Sequence, residues 1–446
     1  MKKQLLSIIC AITFGVLQLS AQWTNVGTAG FSAEWAEYNS LVFGPDGAPY
    51  LVYKDDGNSM KATVMKFNGS NWANVGNAGF SAGTVIYTSL AFHPDGDPYV
   101  VFTDVINGTR ATVMKFNGNN WENVGNAGFS PSSVLYTSIA FHPTEEEPYV
   151  IYKDDSNSGK ISVMKFNGNS WVNVGGPGFS AGAANFPTLA FDESGELYVA
   201  YSLADSGKVT VMKFNGTTWE FIGNSGFSTG FSYYISLAFD PSGAPYVAYK
   251  DDANSGKASV MKFNGTNWVN LGNAGFSAGT AQYTSLAFSP NGEPYVAYAD
   301  VSNNFKATVM KFNGTNWINV GPAEGVTPGM GIFTSLAFAP TGEPYIAYRD
   351  GANSHKASVM KFIDPTAGVN EVGHKNNPKI YPNPVKNVLN IEVNEITGIK
   401  ILNLLGVTSI TQKINAGKNS IDVSSLTPGV YFLQTDKGGV VKFLKD

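Results

Sequence analysis

Three residue types recur at fixed places in this 446-residue chain and could do chemistry. An aromatic stands two residues before each copy of a Ser-Leu-Ala-Phe-like block: Tyr38, Tyr87, Tyr136, Phe186, Tyr234, Tyr283 and Phe333. Flat aromatic faces suit the apolar C–H faces of sugar rings, with the hydroxyls bound nearby. The same rings could instead pack unit against unit. An acid follows six Pro-Tyr-Val-Ala-Tyr-like blocks by two residues: Asp55, Asp104, Asp154, Asp251, Asp300 and Asp350, with Leu203 breaking the pattern. Asn58, Asn157, Asn254 and Asn353 follow closely. Asp and Asn make turns by capping their own backbone; they could also hydrogen-bond a glycan or bind calcium weakly. The DDxNSG pattern has too few spaced carboxylates for a good calcium loop. A basic residue opens each Val-Met-Lys-Phe-like block: Lys61, Arg110, Lys160, Lys208, Lys257, Lys306 and Lys356.

Other chemistries are poorly supplied. The four histidines, His93, His142, His355 and His374, have no metal-ligand spacing, so neither a metal nor a cofactor is expected. The only arginines are Arg110 and Arg349, too few for a nucleic-acid surface or for the three-arginine clamp of sialidases. The one cysteine is Cys10, which excludes disulfides and thiolate sites downstream of it. Active sites need different residues in different roles, whereas repeated units supply the same residue many times. No catalytic residue stands out, and the expectation is a protein that is not an enzyme.

The elements that must position these residues are strands. Trp23, Trp72, Trp121, Trp171, Trp219, Trp268 and Trp317 are 48–50 residues apart, and each of four sequence blocks occurs seven times. All four blocks are short, β-branched or aromatic, and bounded by turns such as Pro45-Asp46-Gly47 and Asn264-Gly265. Four strands per unit of about 49 residues predict an all-β, seven-bladed β-propeller over residues 22–363. The first Trp block precedes any Ser-Leu-Ala-Phe block, and the last Val-Met-Lys-Phe block has no Trp block after it. The predicted closure is therefore one strand from the start with three from the end. Short turns fall at one face and the longer, chemically richer links at the other. A Gly-Phe-Ser tripeptide recurs in six of the long links, and the link from 321 to 332 departs from it.

Residues 1–21 carry Lys2 and Lys3, an apolar run and a small residue at the end, the pattern of an export signal cleaved between Ala21 and Gln22. A linker is expected over 364–377 and a small β-sandwich over 378–446. The last segment contains Tyr381-Pro382-Asn383-Pro384-Val385, Leu404-Leu405-Gly406, Leu426-Thr427-Pro428-Gly429-Val430-Tyr431-Phe432-Leu433 and the basic ending Lys442-Phe443-Leu444-Lys445. It resembles the type A carboxy-terminal sorting domain of type IX (Por) secretion cargo, known from Bacteroidota. The resemblance implies Sec export, passage across the outer membrane, and cleavage with release or attachment to surface lipopolysaccharide. The secretion machinery is then a partner.

The leading expectation is an exported, monomeric, non-enzymatic binding protein with several equivalent glycan sites and no membrane-spanning segment after the signal. Shallow sites on one scaffold gain avidity. A protein-interaction scaffold on the cell surface, centred on Leu203 and the irregular link, is the second expectation. A divergent secreted glycoside hydrolase or lyase is the third.

Overall fold

The computed structural model describes residues 22–144, 146–363, 378–393, 396–403, 408–436 and 440–446. The expected signal and linker lie outside them. The chain divides into two compact units, Trp23–Ile363 and a carboxy-terminal one.

In the larger unit each repeat folds into its own antiparallel sheet. The first contains Ala36–Phe43, Pro49–Asp55, Lys61–Phe67 and Trp72–Asn74, hydrogen-bonded in that order. Five more sheets copy this arrangement. The seventh contains Gly331–Phe338, Pro344–Asp350 and Lys356–Ile363, and its fourth strand is Gln22–Asn25 from the other end of the repeats. The Val26 amide continues this pairing, donating to the Val359 carbonyl at 2.8 Å.

Backbone ladders stay inside each sheet. All nine sheets of the described residues are open, with three or four strands each, and none is closed or curled. This corrects the expected seven-bladed propeller with its closed ring: the chain builds separate open sheets. The physical reason is that the three-residue Trp strand ends each ladder, leaving side chains to join one sheet to the next.

Those joins are regular. The indole N–H of each of the seven repeated Trp residues donates to a carbonyl of the preceding sheet, as from Trp72 to Val26 at 2.7 Å and Trp121 to Val75 at 2.7 Å. Trp23 likewise donates to Val320 of the sixth sheet at 2.6 Å. The Phe of each Gly-Phe-Ser tripeptide stacks flat on the next Trp, with centroids 4.4 Å apart for Phe31–Trp72 and 4.1 Å for Phe129–Trp171. The Ser of Ser-Leu-Ala-Phe accepts from the Leu amide of the following sheet, Ser40 from Leu90 at 3.2 Å. The core strands Pro49–Asp55 and Pro98–Asp104 and their counterparts are almost wholly buried, as β-branched and aromatic residues covered on both faces must be.

The irregular link conforms more closely than its sequence implies. Gly325-Val326-Thr327 stands where Gly-Phe-Ser stands elsewhere. The Val326 amide donates to the Ala307 carbonyl at 2.7 Å, as Phe80 does to Ala62 at 2.9 Å. Thr327 Oγ1 accepts from the Ala307 amide at 3.0 Å, as Ser81 does from Ala62. An apolar residue followed by a hydroxyl is what the position needs.

The carboxy-terminal unit has a three-stranded sheet, Lys379–Tyr381, Val388–Val393 and Gly417–Asp422, and a four-stranded one, Thr408–Ile414, Thr397–Asn403, Gly429–Thr435 and Val440–Lys445. Leu389 and Ile391 of the first and Ile399, Ile401 and Leu433 of the second share one apolar core.

Candidate functional site

The seven loop-end aromatics each occupy a β-bulge. Pairing between the first two strands of every sheet slips at this point, between Glu37 and Ser40 in the first sheet and between Ile86 and Ser89 in the second. The aromatic takes left-handed φ values of 51–57°. Such φ is costly for a bulky side chain, on the order of 1–3 kcal/mol, and persists only where the surroundings impose it. Part of the imposition comes from the next sheet: Thr88 Oγ1 donates to the Tyr38 carbonyl at 2.5 Å and Thr137 to Tyr87 at 2.6 Å. Thr284 and Thr334 do the same for Tyr234 and Tyr283. Pro187 and Ile235 occupy the equivalent position in the fourth and fifth repeats and have no hydroxyl to donate.

These bulges bring all seven aromatics together. Each ring touches its two neighbours, with centroids 5.0 Å apart for Tyr38–Tyr87, 4.7 Å for Tyr87–Tyr136, 4.9 Å for Tyr136–Phe186 and 5.4 Å for Phe186–Tyr234. Tyr234–Tyr283 at 4.8 Å, Tyr283–Phe333 at 4.6 Å and Phe333–Tyr38 at 5.1 Å complete the series. All are half-buried. Burial, then neighbouring hydroxyls, pushes Tyr234 up to about 12 and raises Tyr87, so these phenols stay neutral.

The loop acids face inward. Asp55, Asp104, Asp154, Asp251, Asp300 and Asp350 are each no more than 1% exposed. Asp154 shows the arrangement: Oδ1 accepts from the Ser156 amide at 3.0 Å, and Oδ2 from Asn157 at 2.9 Å and Ser162 at 2.6 Å. Ser162 Oγ in turn accepts from the Gly178 amide at 2.9 Å, so the carboxylate ties its loop to the neighbouring long link. Five of the six cap a single 3-10 turn; at Asp104 that turn is absent and Oδ1 has no partner. The carboxylates are engaged within the loops, and the adjoining Asn residues are their donors. The basic residues that open the third strands pair in register with these acids, Lys61 with Asp55.

One junction departs from the repeat. Between the seventh and first sheets, Arg349 Nη1 donates to Glu37 Oε1 at 2.5 Å, and Lys54 Nζ lies 2.9 Å from Glu37 Oε2. The guanidinium sits between Trp35 and Phe333, 5.5 and 5.3 Å from their centroids. His355 meets Trp35 edge-on at 4.8 Å, and Trp35 is 45% exposed. Burial pulls the Lys54 ammonium down, but Glu37 outweighs it and holds Lys54 above its usual value. Burial first, and Glu37 next, raises the Tyr38 phenol. Sequence reasoning missed this cluster. Its signal was substitution: Glu37 stands where later repeats carry Ile86, Leu135, Asn185, Tyr233, Gln282 and Ile332.

At the opposite, short-turn end, a cleft of about 700 Å³ opens between the second and third sheets, lined by His93, Tyr99, Lys115, Glu122, Glu147 and Phe166. It adjoins the turn between Phe141 and Tyr149, which is one residue longer than the turn between Phe92 and Tyr99. Among the described residues no group of His, Cys, Asp or Glu is arranged to hold a metal ion, and no helix is long and apolar enough to cross a membrane.

No curated protein sequence matches the chain. Among solved structures it is similar to PorZ, a bacterial surface component of the type IX secretion system of Porphyromonas gingivalis, at 12% identity and a TM-score of 0.47, covering 93% of this chain. The chain spans 59% of that PorZ chain. It is also similar to an ulvan lyase of polysaccharide lyase family 25, at 12% identity and a TM-score of 0.51, covering 75% of this chain and 94% of the lyase. The same lyase bound to a GlcA–Rha3S saccharide gives a TM-score of 0.50. At such identity the likeness concerns fold alone. It removes the ground on which no enzymatic activity was expected, that repeated sheets are unsuited to catalysis. A polysaccharide lyase has this fold.

Residues 379–445 match the secretion system C-terminal sorting domain family. The match covers the segment from Lys379 to Lys445, with its own sheets and core. Such a segment is a sorting signal for a secretion system. The protein is an exported cargo of the Por secretion system, delivered by its carboxy-terminal sorting domain to the cell surface or beyond.

Proposed function

We propose that the Trp23–Ile363 unit acts on polysaccharide outside the cell, holding sugar rings at its loop-end aromatics and cleaving the chain as a hydrolase or lyase. The observation that carries this reading is the set of seven aromatics, each held in a left-handed bulge and in contact with the next. Strained bulges re-aim side chains beside functional sites. Sugar C–H faces stack on such rings, and the fold shared with a polysaccharide lyase supports chemistry beyond retention.

The test is incubation of the full chain with a panel of polysaccharides, read by new reducing ends. Absorbance of an unsaturated uronate separates elimination from hydrolysis. Turnover of at least one polysaccharide is expected, with KM raised tenfold or more by Tyr87→Ala, Tyr136→Ala and Tyr283→Ala together. No new reducing ends and no retention on any member of the panel would refute the reading.

Near-equivalence of the aromatic positions favours a second reading, multivalent glycan retention at the cell surface. Calorimetric stoichiometry of several oligosaccharides per chain would support it; one per chain would count against it.

A further inference from the structure

We infer that the junction between the seventh and first sheets is a site for a neutral saccharide, with Trp35 as its platform and Glu37, Lys54 and Arg349 as the groups that grip its hydroxyls. This rests on the polysaccharide reading above and names its site and ligand class.

The chain has eight tryptophans, and seven of them donate their indole N–H to a carbonyl of the adjacent sheet. Trp35 is the eighth and leaves nearly half its surface in solvent. An exposed indole braced by a guanidinium and an imidazole is a rigid apolar plate. Beside it the polar groups are mixed in kind. The Glu37 carboxylate accepts, while Arg349 and Lys54 donate. A sugar hydroxyl both donates and accepts, so adjacent hydroxyls match a carboxylate flanked by cations.

The charges decide the class. Glu37 and Asp56 face Lys54 and Arg349, with Asp56 3.5 Å from Lys54. Asp350 and Lys356 stand opposite each other in the strand register, and Glu34 is an exposed acid beside Trp35. Among these carboxylates, lysines and the arginine, no positive charge is left over to hold a carboxylate or sulfate. Three buried polar atoms without a hydrogen-bond partner belong to residues of this junction: Asn39 Oδ1, Arg349 Nε and His355 Nδ1. Such atoms are rare in folded proteins, and three on the residues of one junction call for an explanation, which a bound hydroxyl would supply.

Trp35 fluorescence gives the readout, because the other seven indoles are tied down. The full chain would be titrated with neutral cello-, manno- and galacto-oligosaccharides, and with oligogalacturonate and sulfated rhamnose–glucuronate oligosaccharides. The expected result is that a neutral probe shifts the emission to the blue and shields it from iodide. Affinity measured by calorimetry should fall at least tenfold in Trp35→Ala and in Glu37→Gln, with melting temperature confirming that both variants fold. Trp35→Phe, which keeps a smaller ring, should retain part of the affinity. Binding of acidic probes alone would overturn the ligand class. Carbohydrate binding unaffected by Trp35→Ala would overturn the site and leave the polysaccharide reading standing. No binding of any probe, together with no turnover of any polysaccharide, would overturn both.

Discussion

At the scale of single residues, the loop acids show how one sequence signal covers two arrangements. An Asp two residues past a strand could turn outward to a ligand or inward to its own loop. The inward choice prevails because the Asn three residues on and the Ser or Thr eight residues on both donate to the same oxygen, as at Asp154. Asp154→Ala would strand these donors and should lower stability by about 1–3 kcal/mol. Exposed Asp155→Ala should cost less than about 0.5 kcal/mol by the same denaturant titration. Acid sensitivity should concentrate at Asp240. Burial raises its pKa, but Ser242, the Ala244 amide and Lys262 outweigh that and hold it at about 2, against an ordinary 3.8. A carboxylate depressed on folding stabilises above its unfolded pKa, and that contribution disappears as pH falls through the folded value. The loss therefore lies between about pH 4 and pH 2. Comparing melting temperatures across that window, Asp240→Asn should show the shallower decline. The aromatic positions were legible in the sequence because they repeat. The junction at Trp35 was not, because reading the chain for its consensus hides a residue that occurs once.

At the scale of elements, the joins between sheets depend on a few close approaches. Gly76 has φ of 72°, and a Cβ there would lie 2.8 Å from the Phe116 ring and 3.2 Å from Trp121. Gly69 has φ of 96° but open space around it. Both Ala substitutions strain the backbone, by at least about 1 kcal/mol. Gly76→Ala should cost clearly more, since it also pushes the indole away from the Val75 carbonyl, and chemical denaturation of the two variants would measure the difference. The bulges make a parallel case. Thr137→Val removes the donor to the Tyr87 carbonyl and should cost about 1 kcal/mol. Strand boundaries and turn chemistry were readable from alternation and Asn-Gly pairs. The likeness of Gly325-Val326-Thr327 to Gly-Phe-Ser was not, because identity is lost while volume and hydroxyl are kept.

At the scale of the whole molecule, the sequence revealed seven units, four strands in each, and the sharing of the last sheet between the two ends of the repeats. It did not reveal that no sheet closes or curls, because block order says nothing about what crosses between blocks. Deleting residues 22–27 should leave the Lys356–Ile363 strand with a bare edge and remove the Trp23 donor to Val320. Hydrogen exchange is expected to show lost protection over 356–363 and a lower melting temperature. Protection unchanged there would mean that the pairing adds nothing to stability. The same pairing sets a schedule. The strand made first waits for a partner made more than 300 residues later. A chain still emerging from the ribosome thus cannot finish its last sheet until almost the entire repeat region has been synthesised. Prematurely terminated products should accordingly be recognisable to quality-control proteases by an orphaned amino-terminal segment.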